Sequence, residues 1–206
     1  MSWLALELYK HGMIKVGRFR LTSGLESPYY IDLRLLYSYP EIRERVVDEM
    51  IRRFSILKEA DIIVGIATSG LALASFIACR LSKPLAYVRI EKKEHGTKSL
   101  VEGVVENRKA VIIDDVATTG GSIEHAINSL REAKAVPIAA ITIVDREQGA
   151  RERLNALGVK LYSLATATEI FDELYRAGLV SEDMYKEIIR YIANFKTGEA
   201  KQQPNK

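Results

Sequence analysis

Four short runs of nearly uninterrupted apolar residues constrain this chain most: DIIVGI at 61–66, PLAYVRI at 84–90, AVIID at 110–114 and VPIAAITIV at 136–144. A strand with one wet face alternates apolar and polar residues; a strand covered on both faces does not need to. Helical stretches separate the runs. GLALASFIACRL (70–81) follows the first, and between the third and fourth Ile123, Ala126, Ile127, Leu130 and Ala133 recur at helical spacing. A further helix around 148–157 precedes VKLYSLA at 159–165. Buried strands alternating with helices predict an α/β fold: a central, mostly parallel sheet flanked by helices.

The ends of the chain have a different texture. Residues 2–11 read as a short amphipathic helix stopped by Gly12, with His11 placed to meet its dipole. IKVGRFRL, TSGLESP and YYIDLRLL, within 14–36, read as short strands around a turn-rich loop. Pro40 suits a first helical position and puts Ile42, Val46, Val47, Met50, Ile51 and Phe54 on one face. Residues 168–195 read as two helices parted by Gly178. The expected organisation is a hood segment at 1–39, a core at 40–166, C-terminal helices at 167–196 and a disordered tail at 197–206.

Charge and composition exclude several classes. Thirty basic against 27 acidic side chains leave a net charge of +3, spread along the chain, which gives no groove for nucleic acid. No apolar run approaches the roughly 18–20 residues that span a bilayer, and the first residues lack the pattern of a secretory leader. The single cysteine, Cys79, rules out an internal disulfide and reads as a small core residue. His125, one turn into a helix, reads as exposed or capping. A cytoplasmic protein with no membrane or nucleic-acid partner is expected.

Ligands of such sheets bind where the strands end. AVIIDDVATTGGS (110–122) is a buried strand ending in Asp114 and Asp115, then a small-residue loop, then a helix opening at Gly121 or Ser122. Free backbone N–H groups, hydroxyls and a helix N-terminus converge there, which makes an anion cradle. The two acids cannot bind a phosphate; sugar hydroxyls or magnesium would satisfy them. Taken alone, the segment is also an ordinary capped strand–turn–helix joint. It contains no Gly-Lys-Ser/Thr to hold a triphosphate.

The order of apolar residues, two acids and Thr-Thr-Gly-Gly-Ser resembles the phosphoribosyl-diphosphate fingerprint of the type I phosphoribosyltransferases. With FRLTSGLESPYYIDLR (19–34), VRIEKKEHGT (88–97) and VDREQG (144–149), the chain resembles the orotate phosphoribosyltransferase family. The resemblance implies a type I phosphoribosyltransferase core with a hood built from the N-terminal segment and C-terminal helices. It implies transfer of ribose 5-phosphate from phosphoribosyl diphosphate to orotate N1, in pyrimidine (UMP) biosynthesis, with Mg2+ held through substrate rather than in a protein-only site.

The implied residues are as follows. Asp114 and Asp115 hold the ribose hydroxyls, Thr118, Thr119, Gly120, Gly121 and Ser122 hold the 5′-phosphate, and Val116 and Ala117 also belong to the phosphoribosyl-diphosphate site. Arg89 and, on a lid over 91–97, the catalytic Lys93 and His95 contact the diphosphate of the partner subunit in a homodimer. Arg146 and Thr118 contact orotate; Arg146 taken alone would read as a surface ion pair with Asp145 or Glu147. Tyr29 and Tyr30 line the base pocket or serve as core aromatics of a strand pair. Three positions depart from the family's lysines, namely Thr22, Ser69 and Ile90, with Lys92 and backbone donors of ATSG (67–70) as compensation. The alternatives are a purine or uracil phosphoribosyltransferase, or a regulator that binds phosphoribosyl diphosphate. A regulator would need a DNA-reading appendage, and none is evident.

Overall fold

The computed structural model describes residues 2–20, 26–90 and 100–197. The expectations for Thr22, for Lys92, Lys93 and His95 of the lid, and for most of the tail lie outside these residues.

The sheet is built from β3 (Ile62–Ile66), β4 (Leu85–Val88), β5 (Val101–Glu102), β6 (Lys109–Ile113), β7 (Val116–Ala117), β8 (Val136–Asp145) and β9 (Lys160–Thr166). Its order is β5-β4-β3-β6-β8, with β9 on the far side of β8; β7 continues from β6 along the same side of β8. Every pairing is parallel except β4 with β5.

The uninterrupted apolar runs have the expected cause. In β3 and β6, Ile62, Val64, Ala110 and Ile112 pack into one layer. Ile63, Val111 and Ile113 pack into the other. The first layer is completed by α5 (Gly121–Glu132) and α6 (Ala150–Ala156), through Ile123, Ala126, Ile127, Leu130 and Leu154. The second is completed by α2 (Pro40–Arg53), by α4 (Ser69–Leu81), and by both chain ends. Pro40 is the first residue of α2, as its fixed φ suits.

The chain ends form one body over that second layer. The separate hairpin of β1 (Ile14–Arg20) and β2 (Glu26–Ile31) is antiparallel. Two strands alone are marginal in water, and this pair is anchored by Tyr29. That ring lies 4.7 Å from Phe171 of α7 (Ala167–Arg176) and 5.8 Å from Tyr191 of α8 (Glu182–Thr197). The first helix, α1 (Ser2–Lys10), buries Leu4, Ala5 and Leu8 in the same layer.

Four elements were not anticipated: the 3-10 helix Leu33–Ser38, the single-turn α3 (Ile56–Glu59), and the two-residue strands β5 and β7. One residue is on the wrong side. Cys79 is exposed, because the buried face of α4 is Gly70, Leu73, Ala74, Ile77 and Ala78. His125 does more than cap: its Nε2 lies 3.1 Å from the Arg89 carbonyl oxygen and ties α5 to the end of β4. His11 meets its helix end as expected, with Nδ1 2.9 Å from the Glu7 carbonyl oxygen.

Candidate active site

The parallel strands end on one edge of the sheet, and β6 delivers Asp114 and Asp115 there. Asp114 is buried; its Oδ1 accepts from the Asp115 amide at 3.0 Å and its Oδ2 from the Ser122 hydroxyl at 3.3 Å. Asp115 accepts from the Val116 amide at 2.9 Å and from the Ser69 hydroxyl at 2.6 Å. Burial, reinforced by the neighbouring charge of Asp115, pushes the Asp114 carboxyl well above the usual carboxylate range. No cluster of three or more His, Cys, Asp or Glu occurs among the described residues. Two hard oxygen donors without a third fit magnesium, which keeps several waters and is bound through one or two carboxylates plus substrate phosphates.

The segment after the acids is a short strand followed by a tight turn, rather than a loop throughout. Val116 and Ala117 pair with Val144 and Asp145 of β8, so the turn is confined to 118–120. Thr118 is half-buried and Thr119 exposed. Gly120 caps α5 with φ +81° and no side-chain cap bond. A Cβ there would lie 2.9 Å from Leu154 Cδ1 and 3.0 Å from Ala150 Cα, so the position needs glycine for both reasons. The first N–H groups of α5, at Gly121 and Ser122, therefore face the turn without a side-chain acceptor at the cap.

The loop after β3 closes the other side. Gly70 packs so tightly on β6 that a Cβ would lie 2.5 Å from the Ile113 carbonyl oxygen and 2.9 Å from Asp114 Oδ1. Ser69 of this loop holds Asp115. The Tyr37 hydroxyl donates to the Ser69 carbonyl oxygen, joining the 3-10 helix to this loop. Burial pushes the Tyr37 phenol up to about 12, so it stays a neutral donor. Neither Ser69 nor Tyr37 was singled out as a support for the acids; Tyr37 lies outside every motif and only the fold brings it here.

Arg146 follows β8 directly, and its amide donates to the Ala117 carbonyl oxygen at 2.8 Å. The cradle strand and the arginine are thus adjacent by backbone pairing. The side chain is only 7% exposed, with its guanidinium carbon 4.9 Å from the centre of the Tyr29 ring. Its Nε and Nη2 are buried with no hydrogen-bond partner. The surface ion pair that Arg146 alone would suggest is not formed with Asp145. Asp145 accepts instead from Arg151 Nε and from the Glu147 amide, each at 2.9 Å. A buried cation left with free donors costs several kcal/mol unless an anion arrives.

The other expected residues are placed as follows. Tyr29 is a core aromatic, fully buried beneath Arg146, and burial pushes its phenol up. Tyr30 is half-buried, its ring 5.8 Å from Phe19 on the hairpin rather than against Arg146. Arg89 follows β4 directly, with Nε 3.2 Å from Glu102 Oε1 of β5. Its amide donates to the Leu100 carbonyl oxygen at 2.9 Å, which joins the chain on either side of residues 91–99. Ile90 is 59% exposed.

Comparison with known proteins shows the family. A phosphoribosyl transferase domain model matches residues 41–161. The chain is 48% identical to an orotate phosphoribosyltransferase of Staphylothermus marinus over 189 residues, covering 92% of this chain and 93% of that one. It is 44% identical to the corresponding protein of Sulfolobus acidocaldarius, covering 87% and 91%. The crystal structure of orotate phosphoribosyltransferase from Aeropyrum pernix superposes with a TM-score of 0.78 at 41% identity, covering 86% of this chain and 99% of that one. With its acids, cradle and arginine on one edge of a type I phosphoribosyltransferase sheet, the chain belongs to the orotate phosphoribosyltransferase family.

Proposed function

We propose that this chain binds orotate and phosphoribosyl diphosphate and joins orotate N1 to C1 of the sugar, inverting that carbon and releasing diphosphate to give orotidine 5′-monophosphate. One observation carries the reading: Arg146 is a buried guanidinium with two partnerless nitrogens, backbone-paired to the cradle strand. Orotate brings a carboxylate, which a guanidinium fork accepts in bidentate fashion. Uracil or a purine brings none and would leave the cation buried and unpaired. Thr118, on the turn that follows the cradle strand, is assigned to the base edge. Tyr29 supports Arg146 from below instead of stacking on the base.

The remaining roles follow from charge. The turn at 118–122 takes the 5′-phosphate on backbone N–H groups and hydroxyls. Asp114 and Asp115 take the ribose hydroxyls and would hold magnesium through its waters. The chemistry a bound magnesium ion supplies is neutralisation of the diphosphate that leaves. Arg89 faces that diphosphate, and Lys93 and His95 complete its contacts from the lid of a partner subunit. The anomeric carbon gains oxocarbenium character as the bond to diphosphate breaks, so the groups on the leaving side matter most and water must be kept out. The protein acts as a cytoplasmic homodimer in pyrimidine synthesis. Its hood is residues 1–39, its core 40–166, and its closing helices 167–196.

The test is an acceptor panel. Purified protein with phosphoribosyl diphosphate and magnesium is offered orotate, uracil, adenine, guanine, hypoxanthine and xanthine, with nucleotide formation followed by chromatography. Product from orotate alone supports the assignment. Turnover of uracil or a purine at a comparable rate overturns it.

A further inference from the structure

We propose that Glu147 is a positioning residue that holds Arg146 in the orientation in which it receives the orotate carboxylate; the inference rests on the role of Arg146 proposed above. Glu147 is not a glycine, yet it occupies the left-handed region with φ +59°. That conformation is uncommon outside glycine, asparagine and aspartate, and it persists only where the surroundings impose it.

Two bonds impose it. The Glu147 amide donates to Asp145 Oδ1 at 2.9 Å, closing the turn around Arg146. Its carboxylate Oε2 accepts from the Thr168 amide at 2.8 Å. Thr168 lies in the first turn of α7, where amides have no partner within the helix and negative charge is favoured. The helix is already capped by its own Thr166 and Glu169, so the second acceptor, from a distant strand end, has another consequence. It fixes the Arg146 turn to α7.

The contacts then close on themselves. Three residues beyond Thr168, on the buried face of α7, Phe171 lies 4.7 Å from Tyr29, and Tyr29 lies 4.9 Å from the Arg146 guanidinium carbon. Glu147 therefore sets the distance between the arginine's backbone and the helix that carries the floor beneath its side chain. Asp145 holds the opposite flank: buried at the end of β8, it is paired with Arg151, whose Nη2 reaches the Ser163 hydroxyl at 3.2 Å. Without the Glu147 tether, the turn can relax to an ordinary φ and the guanidinium shifts away from the Tyr29 ring.

Glu147→Ala, Glu147→Gly and Glu147→Gln separate the possibilities when KM for each substrate is measured at saturation of the other. Glutamine keeps the acceptor for the Thr168 amide and should leave KM for orotate within about threefold of wild type, whereas alanine should raise it about tenfold and leave KM for phosphoribosyl diphosphate within about twofold. Glycine relieves the backbone but not the lost tether, and should behave as alanine does. Wild-type orotate kinetics in alanine or glycine, or an equal loss toward both substrates, overturns the proposal. If alanine does not fold, Glu147→Asp, which keeps the charge but shortens the reach, reads the same effect. Arg146→Ala is measured alongside. A selective orotate defect there, with none in Glu147→Ala, overturns the positioning role alone; no defect in Arg146→Ala overturns the role of Arg146 and this inference with it.

Discussion

The Ser69 hydroxyl donates to Asp115 Oδ2 at 2.6 Å, while the Val116 amide holds the other oxygen of the same carboxylate. Asp115 is thereby fixed in orientation before any substrate arrives, by a side chain from the loop after β3. The Tyr37 hydroxyl on the Ser69 carbonyl oxygen extends the network to the 3-10 helix. Ser69→Ala should free one carboxylate oxygen and raise KM for phosphoribosyl diphosphate about tenfold, the value of one hydrogen bond to a charged group. KM for orotate should not follow. Steady-state kinetics with each substrate varied checks both.

Gly70 offers a test of how closely the loop after β3 must approach the acids. A Cβ there meets the Ile113 carbonyl oxygen at 2.5 Å, and that oxygen belongs to a central strand that cannot move aside. Gly70→Ala should destabilise the fold by about 1–3 kcal/mol, seen as a Tm lower by several degrees. It should also weaken binding of phosphoribosyl diphosphate by displacing Asp114. An alanine variant with unchanged Tm and affinity contradicts the packing described.

Turnover should require a divalent cation, because the site offers two carboxylates and lacks the lysines at 69 and 90 while its substrate carries a diphosphate. Activity should vanish in excess chelator and return with magnesium. Full turnover in chelator contradicts this.

The assembly of the site across two subunits is checked by complementation. Lys93→Ala protein keeps its cradle, and a protein with Asp114→Asn and Asp115→Asn keeps its lid. Each homodimer should be nearly inactive. Refolded together at equal amounts, about half the dimers are mixed and each mixed dimer has one intact site, so activity should recover to about a quarter of wild type. No recovery after demonstrated subunit exchange means the lid works within its own chain.

The layered sheet was legible because both of its faces are covered, and uninterrupted apolar runs such as DIIVGI have few other uses. The cradle was legible because its chemistry is local: acids, turn and helix start lie within thirteen consecutive residues. Other features depended on contacts that no local pattern records. Cys79 was misplaced because α4 is apolar nearly all round, and only its packing decides which side faces out. The strand Val116–Ala117 is two residues long and exists through its pairing with β8. Tyr29 could be read as pocket or core, and what decides is Phe171, far away in the chain. Tyr37 and Glu147 act through partners 32 and 21 residues away.

The central claim is that Arg146 is the receptor for the orotate carboxylate, and kinetics of Arg146→Ala test it most directly. Removing one partner of a desolvated charge pair costs about 2–5 kcal/mol, so kcat/KM for orotate should fall by about thirtyfold to several thousandfold, by the rule of about 1.4 kcal/mol per factor of ten. The affinity for phosphoribosyl diphosphate, measured by calorimetry with magnesium present, should change little. Unchanged orotate kinetics in a folded Arg146→Ala protein would contradict the account.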